Sequence, residues 1–317
     1  MTNSTPLILA ADIGGTNTRV ALLDGTVLRD HTVTRYVNAK SNRLEDILRD
    51  YLSTQDVRPD AVSLALAGPV NGDTGQLTNL DWTITTQGAS DAAGGAMGVL
   101  LNDLSAQGHA LPFLSKDALT PVQISNTDRN AGPCLMIGLG TGMNVAPVHQ
   151  MGTRTYVPPA EAGHTSFSPQ DEDLEALNDY LETKIGHVAT EDILSGRGVE
   201  HAYEYVAGKR IPAADVMALC TSGDPQALVA AGLLIRTLGH FAGDMALTHL
   251  PFGGIFLVGG VARALLPFMD QHGFSSCFAS KGRFANFMAQ FSVHLVQDDC
   301  AALVGAASYA QECLDAR

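Results

Sequence analysis

Short apolar runs that alternate with helical periods of apolar residues are the main pattern of this chain. The apolar runs have the length of buried strands and lie at residues 7–11, 18–23, 62–67, 99–101, 135–137, 144–148, 255–258 and 292–296. Helical spacing of apolar positions occurs at residues 44–52, 174–184, 199–205, 226–247 and 301–312. Because strands and helices alternate, the pattern predicts an α/β fold. The segment 226–247 is rich in Ala and Leu and nearly free of charge, which predicts a buried helix.

The first predicted strand leads directly into a glycine-rich turn, Asp12-Ile13-Gly14-Gly15-Thr16-Asn17. Glycine lets the backbone come close to a ligand, and successive N–H groups in such a turn can bind an anion. Asp12 would repel a phosphate unless a cation lay between them. A second predicted strand follows the turn, so a tight hairpin is the structural alternative. The turn matches neither the Walker pattern nor the dinucleotide fingerprint.

Two further glycine turns follow predicted strands. Gly138-Leu139-Gly140-Thr141-Gly142 comes after the strand at 135–137, and Gly259-Gly260 comes after the strand at 255–258. The last turn has the strand–turn–helix order that places a nucleotide at a helix start, although close packing of strand on helix explains it equally. Two phosphate-type turns and a carboxylate that can face a metal ion indicate a nucleoside triphosphate held by two halves of the protein.

A candidate general base follows the predicted strand at 99–101. Asn102-Asp103 stands at the carboxyl end of that strand, which faces the crevice where α/β sheets bind ligands. Asp103 is therefore a candidate base, or else the cap of a helix that starts at Leu104. Asn102 either binds a hydroxyl group or stabilises the turn.

Two other segments carry polar side chains suited to a ligand. Glu161 and His164 share a loop rich in glycine and proline and can converge on one ligand, although a structural role is the simpler interpretation. Thr190-Glu191-Asp192 has the pattern of an N-cap followed by first-turn acids, so the helix dipole alone explains Glu191. No cluster of cysteine and histidine lies nearby, so zinc is not expected.

Length and charge restrict the class of protein. A chain of 317 residues exceeds the size of most single cores, so we expect two domains with a boundary near residues 111–115. The formal net charge of −14 argues against nucleic acid or an anionic membrane as a partner. It also means that any phosphate site must be built locally.

Several features predict a cytoplasmic location. The first six residues contain no Lys or Arg, and the apolar stretch after them runs into Asp12, unlike a signal peptide. The longest apolar run, residues 250–262, is too short and too broken to span a bilayer. The five cysteines form no Cys-x-x-Cys pair, which indicates reduced thiols.

Taken in order, the motifs resemble those of the proteobacterial glucokinases of the hexokinase–actin superfamily. The segments that carry the resemblance are Ala11-Asp12-Ile13-Gly14-Gly15-Thr16-Asn17, Ala67-Gly68-Pro69-Val70-Asn71-Gly72-Asp73, Leu77-Thr78-Asn79, Leu101-Asn102-Asp103, Gly138-Leu139-Gly140-Thr141-Gly142, Glu161-Ala162-Gly163-His164, Ile185-Gly186-His187-Val188, Leu194-Ser195-Gly196 and Lys281-Gly282-Arg283-Phe284. No single segment is specific to that family, but the ordered set is, and it extends from the first strand to about Ala307.

The resemblance implies two α/β domains of the hexokinase–actin, ribonuclease H-like type that close over a central cleft. The predicted domains are residues 1–113 with a C-terminal helix at about 303–317, and residues 114–302. The implied activity is that of a glucokinase, which phosphorylates D-glucose at its 6-hydroxyl with ATP and releases glucose 6-phosphate and ADP. Mg²⁺ and a homodimer are implied as well.

The resemblance also assigns roles to individual residues. Asp103 would be the general base, and Asp12 would act on Mg²⁺ through water. Glucose would be held by Asn79, Asn102, Asp103, Glu161, His164 and Glu191. Phosphates would be held by Gly14, Gly15, Thr16, Asn17, Gly140, Thr141 and Gly142. The adenosine would lie near Gly259 and Gly260.

The chain departs from the family pattern at three points. Asn144 and Ala162 stand where glycines are expected, and Asp298-Asp299-Cys300 replaces an Asn-Pro segment. These differences concern the details of ligand binding rather than the class of reaction.

Other classes remain alternatives. A hexose or N-acetylhexosamine kinase of the repressor/ORF/kinase family has a similar Glu-x-Gly-His motif, but the loop after His164 lacks the cysteines of that family's zinc site. A sugar-responsive repressor needs a basic helix-turn-helix ahead of the first strand, and the residues before Leu7 contain no Lys or Arg. A non-catalytic sugar- or nucleotide-binding protein on the same fold is disfavoured by the presence of Asp12, Asp103 and both glycine turns.

Overall fold

The structure is a computed structural model that describes residues 5–77, 80–127 and 131–317. The strands are β1 (Leu7–Ile13), β2 (Asn17–Asp24), β3 (Val27–Leu28), β4 (Thr34–Val37), β5 (Ala61–Leu66), β6 (Val70–Asn71), β7 (Thr74–Gln76), β8 (Thr83–Thr85), β9 (Met97–Asn102), β10 (Leu119–Gln123), β11 (Cys134–Leu139), β12 (Met143–Met151), β13 (Arg154–Tyr156), β14 (Gly254–Val258) and β15 (Val293–Val296). The helices are α1 (Leu44–Ser53), α2 (Thr86–Ala92), α3 (Asp103–Ala110), α4 (Glu172–Ile185), α5 (Gly196–Ala207), α6 (Ala213–Ser222), α7 (Pro225–His249), α8 (Gly260–Leu265), α9 (Phe274–Ala279), α10 (Ala285–Met288) and α11 (Ala301–Asp315).

These elements form two compact units. The first unit contains the chain up to Ser115, together with Gln150–Val157 and Asp298–Arg317. The second unit contains Lys116–His149 and Pro158–Gln297. Each unit has its own sheet and its own buried core.

The sheet of the first unit has the strand order β3-β2-β1-β5-β9, and β4 pairs with β2. Strands β1, β5 and β9 are parallel, whereas β2 returns antiparallel to β1. The register aligns Asp12 of β1 with Ala65 of β5, and Ala65 with Leu101 of β9. The carboxyl ends of β1 and β9 therefore lie at one edge of the sheet.

Both faces of this sheet are buried against apolar cores. Side chains alternate across a strand, so each strand contributes to both cores. Along β1, Leu9, Ala11 and Ile13 belong to the core that includes residues of α1. Ile8 and Ala10, on the opposite face, belong to the core that includes residues of α11.

Helix α3 is seated on α11 through a close backbone approach. A Cβ added to Gly305 of α11 would lie 1.7 Å from the carbonyl oxygen of Ala106 in α3. Only glycine permits this contact without displacing one of the helices. The contact determines where α3 lies, and α3 begins at Asp103.

The sheet of the second unit repeats the arrangement of the first. It contains β10, β15, β14, β11 and β12 in that order. Strands β11, β14 and β15 are parallel, and β12 is antiparallel to β11. In both units a glycine turn connects a strand to its antiparallel partner. It connects β1 to β2 in the first unit and β11 to β12 in the second. Helix α7 lies in the core of this unit, which confirms the buried helix predicted from its composition.

The predicted strands and helices are all present, with ends that differ by a few residues. Most of the elements that the sequence pattern did not predict are short or polar; the exception is α6, which has ten residues and is largely apolar. Strands β6, β7 and β8, for example, form a small sheet of their own with little apolar content.

All five cysteines are free thiols. Within the described ranges no single helix is long and apolar enough to cross a membrane. In the same ranges, only α6 and α7 taken together, which are bent by 113° at their junction, have the length and the apolar composition of a span.

Candidate active site

The glycine turn of the first unit is a tight connection between β1 and β2. The Gly14 N–H donates to the Asn17 carbonyl at 3.0 Å, which closes the turn. Among the described residues no acceptor contacts the N–H groups of Gly15 and Thr16. The hairpin interpretation and the phosphate interpretation are therefore compatible, because the turn keeps backbone donors for an anion.

A buried asparagine holds this turn from behind. Asn38 Nδ2 donates to the Gly14 carbonyl at 2.7 Å, and the Asn38 backbone N–H donates to the Thr16 carbonyl at 2.9 Å. Its Oδ1 accepts a hydrogen bond from the Thr18 hydroxyl at 2.8 Å. Asn38 is 1% exposed, so these bonds satisfy a side chain that water cannot reach. Sequence reasoning missed Asn38, because its partners are 20 or more residues away.

Asp12 lies at the end of β1, beside an arginine. Burial raises the pKa of the Asp12 carboxyl group, and the charge of Arg19 opposes this rise. Arg19 Nη1 lies 3.9 Å from Asp12 Oδ2 and also donates to the Asp299 carbonyl. Among the described residues, Arg19 is thus the cation found beside Asp12, and it is too distant for a direct hydrogen bond.

Asn102 and Asp103 form the start of α3. Asn102 Oδ1 accepts from the N–H groups of Leu104 at 3.0 Å and Ser105 at 3.4 Å, and its Nδ2 donates to the Gly68 carbonyl at 3.3 Å. The interpretation of Asp103 as the cap of this helix is therefore wrong: Asn102 is the N-cap, and Asp103 is the first helical residue. Asn102 therefore takes the capping role, and its side chain also hydrogen-bonds the Asp103 carboxylate.

The carboxyl group of Asp103 is a much weaker acid than an ordinary aspartate. Protein atoms surround it, and this burial together with the charge of Asp12 raises the pKa of Asp103 from 3.8 to about 7. The Leu104 N–H, which donates to Asp103 Oδ1 at 2.9 Å, works in the opposite direction. A carboxyl group with a pKa near neutrality can exchange a proton under physiological conditions, as a general base must.

The glycine turn of the second unit joins β11 to β12 and contacts the start of two helices. The Gly140 N–H donates to the Gly142 carbonyl at 2.9 Å, and the Gly140 carbonyl accepts from the N–H of Gly196, the first residue of α5, at 2.8 Å. Gly259, just ahead of α8, has a φ of +101°, and a Cβ there would lie 2.1 Å from the Leu139 carbonyl oxygen. The third glycine turn therefore packs closely against the second, as the packing interpretation predicts. The same contact places Gly260 next to the phosphate-type turn.

The side chain of Glu191 contacts the end of this turn. The Met143 N–H donates to Glu191 Oε2 at 2.9 Å, and Arg197 Nη2 donates to Oε1 at 2.9 Å. Residues Thr190–Asp192 form a single 3₁₀ turn, and α5 starts only at Gly196 with Ser195 as its cap. The prediction of Thr190 as N-cap is thus wrong, because the N-cap is Ala189; Glu191 and Asp192 are first-turn acids, as predicted, but of this short 3₁₀ turn. The Glu191 side chain also binds the backbone of β12, which the sequence did not indicate.

The loop that carries Glu161 is attached to the same end of β12. A Cβ added to Gly163 would lie 2.0 Å from the Met143 carbonyl oxygen, so glycine is required there. Asn144 Nδ2 donates to Glu161 Oε2 at 3.3 Å. The loop also lies beside the segment that carries Glu191, since the Thr190 N–H donates to the Thr165 carbonyl at 2.8 Å.

The candidate residues therefore fall into two groups, one in each unit. The first unit contains Asp12, Gly14, Gly15, Thr16, Asn17, Asn102 and Asp103, and the second contains Gly140, Thr141, Gly142, Glu161, His164, Glu191, Gly259 and Gly260. His164 is exposed, and its imidazole makes no hydrogen bond within the described part of the chain. Asn79 lies outside the described residues. Over the described ranges no group of three or more His, Cys, Asp or Glu side chains is arranged to hold a metal ion.

The fold defines the class of protein as a sugar kinase of the hexokinase type. The structure resembles the crystal structure of glucokinase from an Antarctic psychrotroph, with a TM-score of 0.86 and 28% sequence identity over 97% of this chain and 99% of that chain. A ROK family glucokinase from Streptomyces griseus, in complex with glucose and AMPPNP, shares the fold with a TM-score of 0.68 and 19% identity over 96% of this chain and 99% of that one.

The sequence comparisons make the family specific. A glucokinase of Shigella dysenteriae is 30% identical over 98% of both chains. The profile of the glucokinase family matches residues 9–313. This chain belongs to the glucokinase family. The comparisons confirm the predicted family, the hexokinase-type α/β fold and the class of enzyme, a glucose kinase.

Asp103→Asn should stabilise the protein more at about pH 8 than at about pH 5. The pKa of Asp103 is about 7 in the folded protein, against an ordinary value of 3.8. Between these two values the folded protein keeps a proton that the unfolded chain has released, so the free energy of unfolding falls as the pH rises toward 7. Asparagine does not titrate and removes this loss. Urea unfolding of both proteins at the two pH values measures the effect, and a pH-independent difference would contradict the raised pKa.

Proposed function

We propose that this protein phosphorylates D-glucose at the 6-hydroxyl with ATP, and that Asp103 is the general base. Family membership supports the reaction, and the position and acidity of Asp103 support the residue assignment. Asp103 follows the carboxyl end of a parallel strand, where α/β sheets bind ligands. Its pKa of about 7 leaves a substantial fraction ionised at neutral pH and still able to take up a proton.

The chemical step is a phosphoryl transfer. The 6-oxygen of glucose forms a bond to the γ-phosphorus of ATP, and the bond from that phosphorus to the β–γ bridging oxygen breaks as ADP leaves. The hydroxyl proton passes to the Asp103 carboxylate. Such a reaction needs in-line positioning and charge neutralisation more than covalent help from the protein.

We propose that Asp12 acts on Mg²⁺ through water. The residues fit a magnesium ion that is carried mainly by the nucleotide, because Asp12 is a partly buried carboxylate near Asp103, with Arg19 Nη1 at 3.9 Å. Mg²⁺ in nucleotide enzymes is commonly held by one or two carboxylates plus substrate phosphates, with water completing its shell. When bound, the ion would neutralise charge on the phosphates.

The two glycine turns would hold the phosphates through backbone donors. In the first unit these are the donors of Gly14, Gly15, Thr16 and Asn17. In the second they come from Gly140, Thr141 and Gly142, and the adenosine would lie against Gly259 and Gly260, beside that turn.

The sugar hydroxyls would be held by polar side chains. Glu161 and Glu191 would accept from hydroxyl donors, and each keeps carboxylate lone pairs beyond the hydrogen bonds already described. Asn102, His164 and Asn79 would add further donors and acceptors. A hydroxyl both donates and accepts, so a site of this composition suits a polyhydroxylated ligand.

The remaining proposals concern organisation. On the basis of the family resemblance, we propose that the protein is a homodimer and lies in the cytoplasm. The mass in solution, compared with 33.3 kDa for one chain, tests the dimer. The functional domains are proposed as residues 1–113 with about 303–317, and residues 114–302; limited proteolysis tests these boundaries.

Asp103→Asn should lower kcat at least ~10²-fold with a much smaller change in glucose affinity, because the amide cannot accept the proton. In the parent enzyme kcat/KM for glucose should fall as the pH drops below about 7, where Asp103 becomes protonated. Steady-state kinetics across pH measure both effects. Asp91→Asn, exposed on α2 of the same unit, is the matched control and should turn over normally. Near-normal turnover of a folded Asp103→Asn protein would remove Asp103 from this role.

Activity should require a divalent cation of the Mg²⁺ type and should not require zinc. Oxygen ligands such as Asp12 suit Mg²⁺ or Mn²⁺, and structural zinc sites need clustered thiolates or imidazoles. EDTA should abolish ADP release, and Mg²⁺ alone should restore it. Stoichiometric zinc in the purified protein, together with failure of Mg²⁺ to restore activity, would contradict the proposal.

Glu161→Gln and Glu191→Gln should raise the KM for glucose more than the KM for ATP. Each change weakens a hydrogen bond to a hydroxyl, and an unpaired buried group costs about 1–3 kcal/mol. Glu175→Gln, exposed on α4, is the control. For the same reason glucose should be a far better substrate than fructose or galactose, and a panel that adds mannose and N-acetylglucosamine tests for a related hexose or hexosamine kinase. Unchanged glucose KM in both site variants would refute this sugar site.

A further inference from the structure

Asn144 is a partly buried side chain, directly after the second glycine turn, that is surrounded by the loop of Glu161. Its Nδ2 donates to the Ala160 carbonyl at 2.6 Å and to Glu161 Oε2 at 3.3 Å. Its Oδ1 accepts from the Ala162 N–H at 3.0 Å and from the Val145 N–H at 2.8 Å. The amide thus donates to Ala160 and Glu161 and accepts from Ala162 and Val145, so three of its four partners lie in one segment.

The pattern of these bonds constrains Glu161 more than any one of them would alone. Asn144 binds the backbone on both sides of Glu161, at the Ala160 carbonyl and the Ala162 N–H, as a neighbouring strand would. The backbone of Glu161 between them has φ −134° and ψ 52°, which is neither strand nor helix geometry. Glu161 is the N-cap of a single 3₁₀ turn at Ala162–His164, and the His164 N–H donates to its carbonyl at 3.2 Å. The Asn144 amide adds hydrogen bonds to the residues on both sides of Glu161.

The same amide also contacts the carboxylate itself. Nδ2 lies 3.3 Å from Glu161 Oε2, so it reduces the freedom of a side chain that is otherwise exposed. A glutamate loses appreciable rotamer entropy when it is immobilised, and an existing hydrogen bond lowers the part of this cost that falls on ligand binding.

We propose that Asn144 is a positioning residue for Glu161 that sets the affinity for glucose. This inference rests on the proposed function, in which Glu161 binds a glucose hydroxyl. Asn144 acts through Glu161 and its loop, without contacting the sugar. Misplacement of a binding group by even 1 Å has large kinetic consequences.

The test compares glucose binding and kinetics for Asn144→Ala, Asn144→Asp and Glu161→Gln. Asn144→Ala should raise the glucose KM and the calorimetric Kd by about 5- to 50-fold, with the ATP KM changed less than about twofold. Asn144→Asp should be worse than Asn144→Ala: both remove the two donors, but Asp also brings a negative charge against the Glu161 carboxylate. Asn178→Ala is the matched control, since Asn178 Nδ2 makes an exposed hydrogen bond to Glu182 Oε1 at 3.2 Å on α4 of the same unit, and it should behave as the parent.

A double-variant cycle distinguishes positioning from general destabilisation. In the Glu161→Gln background, Asn144→Ala should weaken glucose binding by much less than it does alone, because the group that it positions is already impaired. Hydrogen exchange of the Ala162 amide should accelerate in Asn144→Ala, while exchange in α4 should be unchanged. An equal loss of glucose affinity in both backgrounds would overturn the proposal.

The remaining outcomes separate this inference from the proposed function. If Glu161→Gln weakens glucose binding and Asn144→Ala, folded by urea unfolding, does not, only the positioning role is overturned. If Glu161→Gln leaves glucose binding unchanged, the sugar site is wrong and this inference falls with it. If Asn144→Ala raises the KM for ATP as much as that for glucose, Asn144 supports the phosphate turn instead, and the proposal is likewise overturned.

Discussion

Two carboxylates, Asp12 and Asp103, meet at one edge of the sheet of the first unit, and much of that unit serves to hold them there. Burial raises the pKa of both carboxyl groups, and for Asp103 the charge of Asp12 adds to it, with a resulting pKa of about 7. The opposing contributions come from Arg19 near Asp12, and from the Leu104 N–H and the Asn102 side chain at Asp103. What maintains the arrangement is the register of β1, β5 and β9, covered on both faces by apolar cores, and the close seating of α3 on α11. A locally unfavourable arrangement of this kind is expected at functional sites rather than in purely structural regions.

An asparagine amide holds an irregular segment of each candidate site, a glycine turn in the first unit and a loop in the second. Asn38 binds the turn between β1 and β2, and Asn144 binds the loop next to the turn between β11 and β12. An amide has donors and an acceptor in the same geometry as a peptide group, so it can replace a missing strand beside an irregular segment. Glycine turns need such support, because the conformational freedom that lets them approach a ligand also makes them costly to order.

The distribution of charge explains how an acidic protein can accommodate an anionic substrate. The formal net charge is −14, and the arginines of the candidate site are paired with acidic side chains, Arg19 with Asp12 and Arg197 with Glu191. In the proposed function, phosphate binding is therefore assigned to backbone N–H groups and to a metal ion, which would act at short range. Because both are local, they do not depend on the sign of the overall charge.

The sequence by itself determined the elements whose patterns are local: the apolar runs that became strands, the buried helix α7, the glycine turns after strands and the family to which the chain belongs. It could not determine which partner each polar group would find. Asp103 was interpreted as a possible cap, and Asn102 is the cap; Glu191 was interpreted as a first-turn acid, and it also accepts from the Met143 N–H, 48 residues away. Asn38 carried no local signal at all. The hydrogen bond of a buried polar group is decided by whatever the fold brings within 3 Å, and the acidity of Asp103 by how much protein surrounds it. Neither quantity exists until the strands have paired and the helices have packed.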